Sequence, residues 1–315
     1  MKTIDISVVV PVYKEEEVVE EFYNHLIKIM EEIKIDFEII FVHDDYSNNE
    51  TMTILKNIHS RDPRVVILGL TRNFGHQIAL TAGIDYARGK AVVMLDGDLQ
   101  HPPELILNLI EYWRNGYDIV YTIRQDVLGE TFFKKLSAKI FYLLMSKISN
   151  VDMGINCADF RLMSRKAVEG FKKMNEKSRF IRGLVSWMGY KKIGINYIAQ
   201  ARSKGETKYT LKKIIAFALD GILLFSNFPI RVISLVGLII SFASFFYIVR
   251  VTYFVLFEKD KIPDLLPITS IILFLCGIQM VMLGVIGEYV AKIFTESKNR
   301  PLYLIDEIYD KNDDR

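Results

Sequence analysis

The sequence predicts an α/β fold in which a mainly parallel sheet is covered by helices on both faces and followed by a C-terminal two-helix hairpin. Three observations predict it. From Asp5 to about Ile123, short β-rich apolar runs alternate with amphipathic stretches, the pattern of a parallel sheet buried on both sides. Residues 232–249 and 265–287 contain no Asp, Glu, Lys or Arg, whereas most of the charged residues lie before residue 230. The 315 residues exceed a single small module; at about 150 residues per domain they allow two units.

The elements follow in order. Strands are expected near 5–13, 37–43, 64–70, 90–95 and 117–122, with helices near 15–34, 50–60, 75–88 and 103–115. The N-terminus, MKTIDISVVVPVYKEEE, has a short apolar core that ends at Pro11 and runs into acids. It is too short for a signal peptide and reads as the first strand, which keeps this part in the cytoplasm. Cys157 and Cys276 are the two cysteines, far apart and with Cys276 in an apolar run, so no disulfide framework is expected. Forty Lys and Arg against 38 Asp and Glu give a net charge of +2, which offers no reason to expect nucleic-acid binding. A hydrophobic share of 50% excludes a disordered chain.

The second half begins with two amphipathic stretches. Residues 131–149 and 211–226 each mix apolar residues with lysines, which suits a helix on an anionic membrane surface or a buried helix with snorkelling lysines. Spans are expected at about 232–257 and 265–288. The uncharged 23 residues of the second rise about 34 Å as a helix, against a hydrocarbon core of about 30 Å. Lys204, Lys208, Lys212, Lys213 and Arg231 precede the hairpin, and Lys292, Lys298 and Arg300 follow it. By the positive-inside rule both ends face the cytoplasm.

Ligands of parallel sheets bind beyond the C-terminal strand ends, and here those ends are acidic. The first runs into Pro11, Val12, Tyr13, Lys14 and three glutamates, and the second into His43, Asp44 and Asp45. The fourth runs into Asp96, Gly97, Asp98, Leu99, Gln100 and His101. Clustered carboxylates are costly unless a cation neutralises them. A D-x-D alone often marks a turn; after the buried run VVML and before Gln100 and Pro102-Pro103 it reads as oxygen ligands for Mg²⁺ or Mn²⁺, with Asp96 and Asp98 as donors. No GxGxxG follows the first strand and no GxxxxGK[ST] occurs, which disfavours a dinucleotide site or a P-loop.

Seven blocks in order, PVYKEEE, HDDYS, TRNFGHQIALTAGIDYARG, VVMLDGDLQHPPELI, ADFRLMSRKAV, FIRGLVSWMGY and RSKGETKYTLKKI, resemble the family 2 glycosyltransferases that load a sugar onto polyprenyl phosphate. These are the bactoprenol-phosphate glucosyltransferase and dolichol-phosphate mannose synthase group. The resemblance spans about residues 5–230 and extends to the two-helix anchor. It implies a GT-A fold, a nucleotide-sugar donor, a divalent metal and inversion at the anomeric carbon. Residue by residue, it places Pro11, Tyr13 and Glu15 in the nucleotide-binding first loop and Asp45 on the nucleoside. Asp44 either shares that contact or caps the segment that follows. Asp96 and Asp98 match the metal and diphosphate motif, Gln100 a further ligand, and Asp159 the carboxylate assigned as base. Arg124 and Arg202 match arginines near the phosphates, and Lys208 an acceptor-proximal lysine. Lys14 stands where Asn is more usual, His43 makes its block look shifted by one residue, and Asn49 replaces a common Asp.

The implied layout is a cytoplasmic catalytic domain over 1–210, a juxtamembrane helix over 211–230, two transmembrane helices within 231–294 and a cytoplasmic tail over 295–315. The expected reaction carries glucose from UDP-glucose to undecaprenyl phosphate; mannose, galactose, N-acetylhexosamine and aminoarabinose donors are the alternatives. The acceptor phosphate, already mostly dianionic near neutrality with a second pKa of about 6, needs no strong base, so Asp159 either deprotonates or orients. Arg124, Arg202, Lys204 and Lys208 are the cations that would let two anions meet. Homo-oligomerisation through the spans is compatible with the resemblance. A processive polysaccharide synthase is disfavoured because no Q-x-x-R-W block occurs, and a catalytically dead lipid-binding scaffold by the intact acidic set.

Overall fold

The computed structural model describes residues 4–45, 49–125, 157–198, 228–257 and 265–311. Two compact units divide the chain: one holds the sheet together with the residues from Arg300 onward, the other the two long helices.

In the first unit, β1 (Ile6–Val12), β2 (Phe37–His43), β3 (Val65–Leu70) and β4 (Ala91–Met94) are buried along their whole length. Strands covered on both faces need no polar alternation, which is why these read as continuous apolar runs. β1 pairs in parallel with β2 on one side and β4 on the other, and β2 with β3. The chain therefore turns away in opposite directions from β1, and the crevice beyond the ends of β1 and β4 is the topological switch point where ligands bind in such sheets. The helices α1 (Val19–Glu32), α2 (Asn49–Arg61) and α3 (His76–Tyr86) join these strands in turn, and α4 (Leu105–Arg114) follows β4. α1 buries Val19, Phe22, Tyr23, Leu26, Ile29 and Met30, spaced at three and four residues so that one face meets the core. α3 lies close on the sheet: a Cβ at Gly83 would collide with Val9 and Val42.

Beyond β4 the sheet turns mixed. β5 (Ile119–Gln125) and β6 (Cys157–Ser164) are antiparallel, β6 is antiparallel to β4, and β7 (Lys192–Ile198) runs parallel to β5. α5 (Arg165–Lys172) starts from Ser164, whose hydroxyl accepts from Ala167 N at 3.2 Å as an N-cap. α6 (Ile181–Trp187) precedes β7. With β8 at Ile305–Tyr309, the full order is β7-β5-β6-β4-β1-β2-β3-β8, the mainly parallel, Rossmann-like arrangement expected. The strands near 5–13, 37–43, 64–70, 90–95 and 117–122 form within a few residues of those bounds.

Three strands, β6, β7 and β8, had no counterpart in the sequence expectation. β8 (Ile305–Tyr309), within the stretch assigned to a tail, pairs antiparallel with β3. It is fastened by a buried polar network. The Glu38 carboxylate accepts from Ser7 Oγ at 2.6 Å, Arg88 N at 2.8 Å and Arg88 Nε at 2.9 Å. Arg88 Nη1 then reaches Asp310 Oδ2 at 2.9 Å, and Tyr86 Oη donates to the same oxygen at 2.9 Å. Tyr303 Oη donates to Asp85 Oδ2 at 3.0 Å.

The second unit contains α7 (Phe228–Phe257) and α8 (Leu265–Ser297). Residues 274–297 are long and apolar enough to cross a membrane, with mean hydropathy 1.7. Phe242, Phe245, Phe246 and Phe274 are among the large apolar side chains that both helices leave exposed, the reverse of a water-facing surface. Cys157 and Cys276 are both free thiols. The amphipathic stretches expected at 131–149 and 211–226 lie outside the described residues.

Candidate active site

The site begins where β4 ends. Leu95 N donates to Val9 O at 3.0 Å, so the chain leaves the sheet only at Asp96. Gly97 passes against β1, where an added Cβ would come within 3.3 Å of Val10 Cγ1. Asp98 Oδ1 accepts from Gln100 N at 3.1 Å, a local turn that includes Leu99 at φ +57. Two histidines flank Asp96: His76 Nε2 lies 3.4 Å from Oδ1 and His101 Nε2 3.3 Å from Oδ2. His101 is held in turn, with Nδ1 2.8 Å from Tyr197 Oη and its ring packed on Phe160 and Tyr197. Burial pushes the Asp96 carboxyl up, but the neighbouring His76 and His101 outweigh it and leave it below the usual range. Burial, with the Asp96 and Asp98 charges opposing Arg124 and Arg182, pushes the Tyr197 phenol up to about 12, so it remains neutral.

Asp159 lies on β6, its side chain 12% exposed. Arg182, in the first turn of α6, grips it with both arms of its guanidinium, Nε to Oδ1 at 2.8 Å and Nη2 to Oδ2 at 2.9 Å. Arg161 Nη2 stands 3.4 Å from Oδ1, and Gln77 Nε2 donates to Oδ2 at 3.4 Å. Gln77 Oε1 accepts from Ile181 N at 3.0 Å, tying α3 to the start of α6. His76 Nε2 lies 3.9 Å from Asp159 Oδ2. Burial alone would raise this carboxyl, yet the Arg182 charge and its hydrogen bonds hold it well below the usual carboxylate range.

At the other end of the crevice, Pro11 is buried in β1 opposite Val42, and Tyr13 is 37% exposed. Lys14 sits at φ +55, a conformation Asn adopts more cheaply, which gives a backbone reason for the Asn more usual there. Glu15 O accepts from Val18 N and Val19 N as α1 begins. Asp45 is buried beside this loop. Asp44 points elsewhere: Oδ1 accepts from Phe74 N at 2.7 Å and Oδ2 from Gly75 N at 2.8 Å. Burial raises its carboxyl against the pull of those two amides.

Residues 7–171 match the model of glycosyl transferase family 2. The chain belongs to that family. Residues 228–293 match a second model, the GtrB C-terminal hairpin. The uncharacterized glycosyltransferase YkcC of Bacillus subtilis (strain 168) is 46% identical over 306 residues, 97% of this chain and 94% of its own. The prophage bactoprenol glucosyl transferase homolog of Escherichia coli (strain K12) is 40% identical over 304 residues, 96% and 99% of the two chains. The bactoprenol glucosyl transferase of Shigella phage SfV is 40% identical over 300 residues, 95% and 97%.

In this family 2 glycosyltransferase the GT-A sheet gathers Asp96, Asp98, Gln100 and Asp159 at one mouth, and Arg124, exposed at the end of β5 and in register with Tyr197, is near enough to influence that tyrosine. Arg202, Lys204 and Lys208 lie outside the described residues. Among the described residues no group of three His, Cys, Asp or Glu side chains forms a ready metal cage. Two carboxylates with free coordination positions still fit a hard cation, because Mg²⁺ is ordinarily held by one or two carboxylates together with substrate phosphates. Arg182, His101, Tyr197, Gln77 and His76 were not singled out from the sequence. Arg182 and Gln77 stand inside quoted blocks, but nothing local to an arginine in FIRGL announces a carboxylate 23 residues away.

Proposed function

We propose that this chain transfers glucose from UDP-glucose to undecaprenyl phosphate, giving the lipid-phosphate sugar and UDP with inversion. The observation that carries the reading is the joining, in one chain, of an acidic D-x-D mouth on a GT-A sheet and a GtrB-type hairpin. The first suits a soluble sugar diphosphate, the second a lipid acceptor. The names of the relatives from Escherichia coli and Shigella phage SfV support bactoprenol and glucose.

The bond from the anomeric carbon to the β-phosphate oxygen breaks as an acceptor phosphate oxygen bonds to that carbon. The donor's electron pair leaves with UDP, and the acceptor passes from dianion to monoanionic diester, so no proton has to move. Asp96, Asp98 and Gln100 would hold a divalent cation, which when bound stabilises charge on the departing diphosphate. Pro11, Tyr13, Glu15 and Asp45 bind the nucleoside end. Asp159, kept ionised by Arg182, orients the sugar and offsets positive charge developing there. Arg124, Arg202, Lys204 and Lys208 offset repulsion between the two anionic substrates. Both spans, 232–257 and 265–288, cross the membrane with the catalytic domain and both termini on the cytoplasmic side, and 211–230 lies at the interface.

The test is incubation of the purified full chain with labelled nucleotide sugars, undecaprenyl phosphate and Mg²⁺ or Mn²⁺. Label extracted into the lipid phase from UDP-glucose, and lost on chelation, is the expected result. Transfer from another donor would correct the sugar, and no transfer from any donor overturns the reading.

A further inference from the structure

Asp44 and His76 belong to one device. The Asp44 side chain is buried and spends both oxygens on the backbone amides of Phe74 and Gly75. Those residues are the last before α3. Gly75 carries φ +97, and a Cβ there would meet nothing within 4 Å, so a glycine is required by backbone conformation and not by crowding. Gly75 O accepts from Ile78 N and Ala79 N, both at 3.0 Å, to start the helix. Eight residues after Gly75, Gly83 presses α3 against Val9 and Val42. The helix is thus fixed at two points, and its first residue, His76, is delivered between Asp96 and Asp159.

We infer that Asp44 is a positioning residue that clamps the 74–75 backbone and thereby sets His76 between the two carboxylates, and that it does not itself bind the nucleoside. This rests on the glycosyltransferase reading above. It separates the neighbours Asp44 and Asp45: the first organises the sugar end of the crevice, the second serves the nucleotide. Asn at position 44 would present one acceptor and one donor to two N–H groups, so one bond fails while volume is kept.

The experiment uses the full chain and the variants Asp44→Asn, Gly75→Ala, Asp45→Asn, His76→Ala and the double variant Asp44→Asn/His76→Ala. UDP affinity is read by calorimetry, amide exchange over residues 71–78 by mass spectrometry, and kcat and KM by lipid transfer. Asp44→Asn and Gly75→Ala should speed exchange at 71–78, keep UDP affinity within about threefold and lower kcat roughly 10²-fold. Asp45→Asn should weaken UDP by about tenfold or more. The double variant should be no slower than the slower single variant, because both act through one side chain. UDP affinity lost in Asp44→Asn as in Asp45→Asn, unchanged exchange, or fully additive losses would overturn the inference. A wild type that binds UDP but transfers no sugar sinks the functional reading instead, and the affinity and exchange results still decide the role of Asp44.

Discussion

The surroundings of Asp96 and Asp159 differ in kind although the two carboxylates share one mouth. Asp96, at the end of a parallel strand, faces two imidazoles at 3.3 and 3.4 Å, weak partners that a stronger cation can displace. Asp159, on an antiparallel strand, is locked by the bidentate Arg182. An arginine stays charged throughout the accessible pH range, so Asp159 has a permanent counterion and no vacancy for another. Two acids a few ångströms from the same histidine are therefore prepared for different work, one for exchangeable charge and one for fixed charge.

The sharpest way to break that contrast is to remove a carboxylate on the exchangeable side. Asp98→Ala should lower lipid transfer by about 10³-fold, with circular dichroism and melting unchanged. Next in size is Arg182→Gln, which takes the bidentate partner from a buried carboxylate and leaves it the longer Arg161 and Gln77 contacts; unfolding in denaturant should show a loss on the order of 3 kcal/mol. The pH dependence follows from the same pair. Because the folded-state pKa of Asp159 is depressed, the pair's contribution is present above the unfolded value of about 3.9 and is lost as pH falls toward the folded value. Arg182→Gln should reduce the difference between melts at pH 7 and at low pH. In the wild type the acid limb of the rate should lie near pH 6, where the acceptor phosphate protonates, and a limb following Asp159 would argue for a general base. The smallest effect is expected far from the mouth. Asp310→Ala leaves Arg88 Nη1 and Tyr86 Oη without this acceptor, which should cost about 1–3 kcal/mol in denaturant melts and leave transfer per folded molecule unchanged.

The two halves of the sheet were unequally legible. β1 to β4 are hydrophobic runs punctuated by amphipathic helices, and their acids announce themselves because carboxylates directly after buried strands have few other uses. In the mixed half, β6 and β7 were not named as strands: Ala158 to Leu162 alternates apolar with polar residues, but the polar Arg161 sits buried within it, which no hydrophobic pattern foresees. Asp159 came from a motif, whereas its partner Arg182 arrives from a helix that only tertiary folding brings near. Gly75 serves backbone conformation and Gly83 close packing. Asp44 could be read as cap or ligand from sequence alone, since its choice depends on a loop 30 residues later. β8 went unseen because IDEIY is short and two of its five residues are acidic.

That last strand changes how the chain can be cut. Topologically the two-helix hairpin is an insertion into the sheet-bearing unit, which resumes after it. Shortening the protein at residue 227 to obtain a soluble enzyme would discard β8 with the helices, take Asp310 from Arg88 Nη1, and bare the N–H and C=O groups along β3. An uncovered edge of that kind recruits strands from other molecules. Excising 228–297 and rejoining the flanks with a flexible linker retains the strand, and is the deletion from which a monodisperse soluble enzyme is expected.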